Sequence, residues 1–570
     1  MPSLVTGERA SGKAKHERFI SRPTLRLAFW GIGIFLATTQ AWIRRYEVSA
    51  DSISYLDMSD AVMPGGNWHR LINGVWSPLY PFFLGLFRRL LHVSPQEEIA
   101  AGHLLNIVFF LFAFVCFEQL LSAVAHIVDF PSPEEEPVRS LPAWMYVPTG
   151  YALFLWGAIS QISLGRLRPD MLMSGFLYLA VAMLCRMQRA PARWSQYMAL
   201  GAILGVGYLA KAPMLPIGIL ILAASLLTVE NWRPALKMAL ASGTLMLVIG
   251  SLYFVPLSLE LEHFSLGESS TFNYAVHVNG VGPSWYSQNL GSARGTLLRS
   301  PEKIFFDPAA YWFAIPTPVT HPLRFDPSYW TLGVHPHFAW NSQWRAVTRS
   351  SFVLRKSLRE LSIAGIAVLV LAFLAGGGKG IRISVMKLWP LWCIGLAGCA
   401  MYVLISVEPR YVGAFLVLVW FALLAGFLLP RWHGREVALL ITLAVVLTSL
   451  HFTWRQASSG TGSSQSNQDF EAAQQLTRFG LRAGDRVARI SSMPNDLGVE
   501  RILRTQIAGE VDNTSTSAFW DLPLATQQDM LRLFHTRGAE AVIATNPSLR
   551  GDNRLEWQRL GTTQYWVWRP

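Results

Sequence analysis

Asp51 and Asp57 share a polar stretch, 49–60 (SADSISYLDMSD), that follows directly on a long apolar run. Carboxylates held at such a boundary can accept the proton of an attacking hydroxyl, hold a divalent cation, or do both. Elsewhere Arg168 and Asp170 flank Pro169, Lys211 lies between two short apolar runs, and Glu408 and Arg410 flank Pro409 with Tyr411 next in line. Arginine offers a phosphate two charge-assisted hydrogen bonds from one planar fork, and lysine offers a point charge. Together they suit transfer of a group from a phosphate: the carboxylate takes the proton and the cations offset charge growing on the leaving group. Asp51 is the leading catalytic candidate, with Asp57 beside it. Arg168, Asp170, Lys211, Glu408, Arg410 and Tyr411 are candidates for substrate binding. A divalent cation, Mg or Mn, on Asp51 would add to the charge compensation, and no nucleotide is required.

Plainer roles exist for the same residues. Asp51 or Asp170 can cap a helix, Asp57 can be a solvated helix residue, Glu408 and Arg410 can pair with each other, and Lys211 can snorkel to water. The histidines show no ligand spacing, and all four cysteines (Cys116, Cys185, Cys393 and Cys399) fall inside apolar runs, so neither a disulfide framework nor a zinc site follows. The C-terminal region, 469–570, contains no Gly-x-Gly-x-x-Gly or P-loop signature, so nothing marks it as nucleotide-binding.

The elements that must position these residues are apolar runs. Of 570 residues 52% are hydrophobic and 15% charged, with a mean hydropathy of +0.31. This composition excludes a single soluble domain and predicts an α-helical polytopic membrane protein of about eleven transmembrane helices. The spans fall at 25–43, 103–123, 143–160, 171–187, 196–210, 213–227, 235–257, 361–376, 388–407, 412–429 and 437–452. The net charge of +12 in a soluble chain would suggest nucleic acid. Here topology accounts for much of it, and no nucleic-acid partner is expected.

A basic N-terminal segment, 1–24, reads as cytoplasmic, and the first run as an uncleaved span. Alternate loops then carry Arg186, Arg189 and Arg193; Arg233 and Lys237; Lys379, Arg382 and Lys387; and Arg431 and Arg435, as the positive-inside tendency asks. The candidate residues all fall on the opposite, outer face. One run breaks the pattern: Arg345, Arg349, Arg355, Lys356 and Arg359 are basic yet outer.

The transmembrane part is 25–457, with outer loops at 44–102 and 258–350. In the first loop 78–91 is too short to span and suits the interface, with Trp68, Trp76 and Tyr80 at headgroup level. The second is rich in aromatics, among them Phe272, Tyr274, Trp285, Tyr286, Tyr311, Trp312, Tyr329 and Trp330, and suits a cover or a sugar- or lipid-contacting surface. A Ser- and Gly-containing linker, 458–468, leads to 469–570, which reads as a soluble α/β domain on the periplasmic side. Its strands are expected at 486–490, 507–511 and 541–544, and 565–568 is expected as an edge strand.

The motifs Asp51-Ser-Ile-Ser-Tyr-Leu-Asp57, Trp76-Ser-Pro-Leu-Tyr-Pro81, Arg168-Pro-Asp170 and Glu408-Pro-Arg-Tyr411 resemble those of the multi-spanning glycosyltransferases that use polyprenyl-phosphate sugars. That superfamily contains the protein O-mannosyltransferases and the lipid A aminoarabinose transferases. The resemblance covers about 25–450. It implies inverting sugar transfer from a polyprenyl-phosphate donor to a hydroxyl acceptor, at the outer face of a bacterial inner membrane. The first-loop Asp51 would be the essential carboxylate. Ser52 follows Asp51 where protein mannosyltransferases have adjacent acidic residues, which leaves the acceptor, and the division of labour between Asp51 and Asp57, open. The alternatives are a transporter or flippase of lipid-linked or anionic substrates, for which related halves and midplane charges would be expected, and a scaffold whose outer domain binds a partner.

Overall fold

A computed structural model describes residues 23–129, 139–140, 143–188, 190–281, 291–313, 318–329, 332–363, 365–366, 370, 386–425, 428–429, 434–460, 463–493, 496–548 and 557–570. The N-terminal segment expected to be cytoplasmic, most of the expected span 361–376, and Arg189, Trp285, Tyr286, Trp330, Lys379, Arg382 and Arg431 lie outside them.

The chain is mostly helical. In order come α1 (Pro23–Ile43), α2 (Ala50–Ser59), α3 (Leu79–Leu90), α4 (Glu98–Asp129), α5 (Ala143–Leu155), α6 (Asp170–Arg186), α7 (Trp194–Ala210), α8 (Met214–Thr228), α9 (Trp232–Glu260), α10 (Ser269–His277), α11 (Trp340–Glu360), α12 (Trp389–Val403), α13 (Pro409–Ala425) and α14 (Gly434–Ala457). Every expected span other than 361–376 coincides with a helix. By length and composition, two helices among the described residues are long and apolar enough to cross a membrane, Glu98–Val128 and Trp232–Glu260. Met214–Thr228, Trp389–Val403 and Pro409–Ala425 are apolar but shorter.

Proline sets the starts that matter for function. Pro169 and Pro213 stand immediately before the first residues of α6 and α8, and Pro409 is the first residue of α13. A proline there sacrifices no helical hydrogen bond, because the N–H groups of a first turn have no intrahelical acceptor. Each of these prolines therefore starts a helix beside the charged residues around it: Arg168 and Asp170, Lys211, and Glu408 and Arg410.

The C-terminal part contains α15 (Ser463–Arg478), α16 (Gly498–Leu503) and α17 (Leu524–Thr536). These pack with a seven-stranded sheet. Two strands come from the segment 258–350, β1 (Glu302–Phe306) and β2 (Ala309–Trp312). The others are β3 (Arg486–Ile490), β4 (Gln506–Val511), β5 (Ala541–Thr545), β6 (Trp557–Arg559) and β7 (Tyr565–Trp568). The spatial order is β6-β7-β5-β3-β4-β2-β1. β3 runs parallel to β4 and β5, and the remaining pairs are antiparallel.

The expectation that 565–568 forms an edge strand is corrected: β7 lies between β6 and β5. Tyr565, Val567 and Trp568 are buried there. At the other side of the sheet β2 pairs with β4, Ala310 opposite Val511. The loop and the C-terminal part therefore share one sheet, with Ala310, Phe519, Met530 and Phe534 in a common core.

Candidate functional site

Loops from distant parts of the chain meet at the first turn of α2. Ser49 caps this helix, its Oγ accepting the Ser52 backbone N–H at 3.3 Å. Asp51 is thereby released from the capping role, and 36% of its side chain remains exposed. Arg410 sits at the centre. Its Nε donates to Glu408 Oε2 at 2.7 Å, its Nη2 to Asp51 Oδ2 at 3.2 Å, and its Nη1 lies 3.5 Å from Asp170 Oδ2. Lys211 Nζ donates to Asp170 Oδ1 at 2.5 Å, and Arg168 Nη2 stands 3.8 Å from Asp51 Oδ2. Asp170 is spent on these cations rather than on capping α6. The Tyr411 ring stacks on Tyr402, with centroids 5.0 Å apart, and receives Lys211 Nζ at 4.4 Å and the Arg410 guanidinium at 4.5 Å. All of the expected substrate-binding residues belong to this one cluster. Arg166 does not; it turns away to Glu47 at 3.1 Å.

A cavity of about 550 Å³ opens on this cluster. Asp51, Tyr55, Lys211, Arg324, Arg410 and Tyr411 line its polar end, while Val75, Trp76, Leu215, Pro216, Phe272, Met401 and Ile405 line the rest. Asp51 is the one carboxylate on the lining among the described residues. The shape and chemistry suit an amphiphile: an anionic head fits among the cations and an apolar portion fits against the greasy wall. Arg168, Lys211, Arg324 and Arg410 outnumber Asp51, Asp170 and Glu408 by one charge. Burial pushes the Arg324 guanidinium down to about 10, with like-charge repulsion from Arg489 adding to it. Burial also lowers the Lys211 ammonium, against the opposing pull of Asp170. Both cations would be eased by an incoming anion.

Arg324 escapes sequence reasoning because nothing local marks it. It rides on a four-residue turn, Pro322–Phe325, held from both sides. The Ile507 N–H of β4 donates to Thr320 O at 2.9 Å, and Asn73 Nδ2 donates to Phe325 O at 2.8 Å. The C-terminal sheet and the segment 44–102 thus aim one cation into the cavity jointly.

Asp57 is held elsewhere. It is 2% exposed, does not line the cavity, and accepts from Thr320 N, Thr320 Oγ1 and Arg501 Nη1 at 3.1, 2.8 and 2.6 Å. Arg501, on α16, also donates to Asp60 Oδ2 at 2.8 Å and Glu98 Oε1 at 2.6 Å. Arg88 reaches Asp60 at 3.0 Å and Glu98 at 2.6 Å, and Arg504 reaches them at 3.2 and 2.6 Å. Burial alone would raise the Asp60 carboxyl, but Arg501, Arg88 and Arg504 outweigh it and hold the group below the ordinary carboxylate range. Three arginines and three carboxylates, balanced in charge, clamp the C-terminal part onto α2, α3 and α4.

A divalent cation on Asp51 does not fit this arrangement. The neighbours of Asp51 are the guanidinium groups of Arg410 and Arg168, and among the described residues no three His, Cys, Asp or Glu side chains gather as a metal-binding group.

No family model matches the chain, and no curated protein does. Among solved structures, ArnT from Cupriavidus metallidurans bound to undecaprenyl phosphate is similar at 13% identity, over 96% of this chain and 98% of that one, with a TM-score of 0.47. The same protein in the apo state is similar at 14% identity and a TM-score of 0.44, over the same shares. The Archaeoglobus fulgidus oligosaccharyltransferase in complex with Zn and sulfate is similar at 11% identity, over 90% of this chain and 68% of that one, with a TM-score of 0.47.

Proposed function

We propose that the chain is a membrane glycosyltransferase that moves a sugar from a polyprenyl-phosphate carrier to a hydroxyl acceptor at the outer face of a bacterial inner membrane. The observation that carries this reading is the cavity itself. Asp51 is the one carboxylate on its lining among the described residues, Lys211, Arg324 and Arg410 surround it, and the remaining wall is apolar.

In the proposed reaction the carrier phosphate lies among Lys211, Arg324 and Arg410, and the prenyl chain runs along the wall formed by Phe272, Met401 and Ile405. Asp51 accepts the proton of the acceptor hydroxyl as its oxygen attacks the anomeric carbon. The bond from that carbon to the phosphate oxygen breaks with inversion, and the electron pair leaves on the polyprenyl phosphate. The cations stabilise the additional charge where it develops. Glu408 and Asp170 hold Arg410 and Lys211 in place. Asp57 acts at one remove, anchoring the helix that carries Asp51.

In this reading the bundle spans the membrane with its N-terminus cytoplasmic and the C-terminal part periplasmic. The test is transfer by the purified full-length chain from a panel of polyprenyl-phosphate sugars to a panel of hydroxyl acceptors, with Asp51→Asn as control. No turnover of any donor by correctly inserted protein would reject the reading.

A further inference from the structure

The basic run that topology leaves unexplained folds as α11, a 21-residue helix. Near one end Gln343 Nε2 donates to Leu404 O, just past α12, at 2.5 Å. At the other end Glu360 Oε2 accepts from Trp156 Nε1 and Gln161 Nε2, in the π-type turn after α5, at 3.0 and 2.7 Å. Gln343 and Glu360 stand about 25 Å apart at the rise of an α-helix, so α11 runs across one end of the bundle, over α12, α13 and α14.

The two faces of α11 differ sharply. Ser342, Ala346, Ser350 and Ser357 are buried against the bundle. The opposite side exposes Trp340 (78%), Trp344 (69%) and Phe352 (69%), spaced by multiples of four residues and therefore in one stripe. Arg345, Arg355 and Lys356 are exposed beside them. Within α11 five basic residues face a single acid, Glu360, which points inward to Trp156 and Gln161. Among the described residues no ion pair joins Arg345, Arg355 or Lys356 to a carboxylate. Aromatic rings of this size left in water mark a contact surface. A row of aromatic rings beside a row of cations, on a helix laid over the ends of a bundle, is complementary to the boundary between acyl chains and anionic headgroups.

We infer that α11 is a docking surface for anionic phospholipid headgroups of the outer leaflet. The inference rests on the membrane reading proposed above. It adds a lipid contact separate from the donor cavity, yet only one helix away: Tyr274 Oη of α10 donates to Gln343 Oε1 at 2.9 Å, and Phe272 and Asn273 of α10 line the cavity. It also accounts for a cationic run on the outer face, since these charges meet headgroups and take no part in setting orientation.

The test is the association of spin-labelled phosphatidylglycerol, against spin-labelled phosphatidylcholine, with the full chain reconstituted in phosphatidylcholine. The motionally restricted fraction in electron paramagnetic resonance is the readout. The wild-type chain should prefer phosphatidylglycerol, and Arg345→Gln combined with Arg355→Gln and Lys356→Gln should lower that preference about tenfold or more. Arg345→Lys with Arg355→Lys keeps the charge and should keep the preference, which separates headgroup attraction from damage to the helix. No preference in the wild type, an unchanged preference in the Gln variant, or loss in the Lys variant would each overturn the inference. Selective retention of a soluble polyanion such as heparin in place of the lipid would do so as well. Asp51→Asn should bind lipid as the wild type does, so failure of sugar transfer and failure of lipid docking are read separately.

Discussion

Arg501 places its Nη1 2.6 Å from Asp57 Oδ1, joining the C-terminal part of the chain to the short helix that carries Asp51. Both side chains are almost wholly buried, at 2% and 3% exposed. Their attraction is therefore little screened, and loss of either partner strands the other. The C-terminal part thus holds α2 in place.

Arg501→Met should accordingly destabilise the protein by about 3–5 kcal/mol, the usual cost of leaving a buried charge without its partner. Thermal unfolding of the detergent-solubilised chain measures it. A melting temperature equal to that of wild type would mean that the six-residue network contributes nothing.

Gly85 faces the end of α2, and an added Cβ would collide with Ser59 O and come within 2.8 Å of Val62 Cβ. Gly85→Ala should cost about 1–3 kcal/mol through overpacking. Because the push falls on the helix bearing Asp51, transfer should drop along with stability. A fully active, fully stable variant would show that α2 can shift without consequence.

Arg410→Lys keeps the charge but has no planar fork with which to hold Glu408, Asp51 and Asp170 together. Donor affinity should fall by about tenfold or more, equivalent to about 1.4 kcal/mol per tenfold. Equilibrium binding of a polyprenyl-phosphate sugar reads this directly. Unchanged affinity would remove Arg410 from phosphate recognition.

Glu510 predicts the pH dependence of stability. Burial, aided by Asp512, pushes its carboxyl up to about 8, which favours the protonated form at neutral pH, and its Oε2 lies 3.2 Å from His321 Nε2. Burial also holds His321 well below the usual histidine range, with Arg324 and Arg489 adding repulsion, which favours the neutral imidazole. A folded-state pKa above the unfolded one gives stability that is complete below the unfolded value, 4.5, and lost as pH rises through about 8. His321 works in the opposite sense and loses its contribution as pH falls below about 6.5. Between pH 6.5 and 8 Glu510 therefore acts without opposition from His321. The melting temperature of wild type relative to Glu510→Gln should fall across this interval and level off above it. A flat difference would contradict the raised carboxyl.

Much of the site was legible in the sequence because its residues sit at the ends of apolar runs. Arg168, Asp170, Lys211, Glu408, Arg410 and Tyr411 could be placed on one face by counting runs and reading loop charge, and the structure gathers them into one cluster. The two aspartates were legible only as a pair. Six residues along an α-helix rotate a side chain by about 600°, or about 240° net, so Asp51 and Asp57 could not both face one cavity, but nothing local says which of them would. Arg324 and Arg501 were out of reach for another reason. Each is delivered by long-range pairing, the turn at 322–325 by β4 and Asn73, and α16 by the packing of the C-terminal part, and neither leaves a local period or spacing. The misplaced edge strand has a different origin: β6 is only three residues long and pairs with β7 across a short local turn, so no run of strand-like residues marks the neighbour that covers it.

The most direct measurement compares sugar transfer by the reconstituted wild-type chain and by Asp51→Asn, with donor binding recorded on the same samples. Retained donor binding with transfer reduced by about 100-fold or more is the predicted result. Undiminished transfer by inserted Asp51→Asn protein would contradict the assignment of Asp51 as the carboxylate that takes the acceptor's proton.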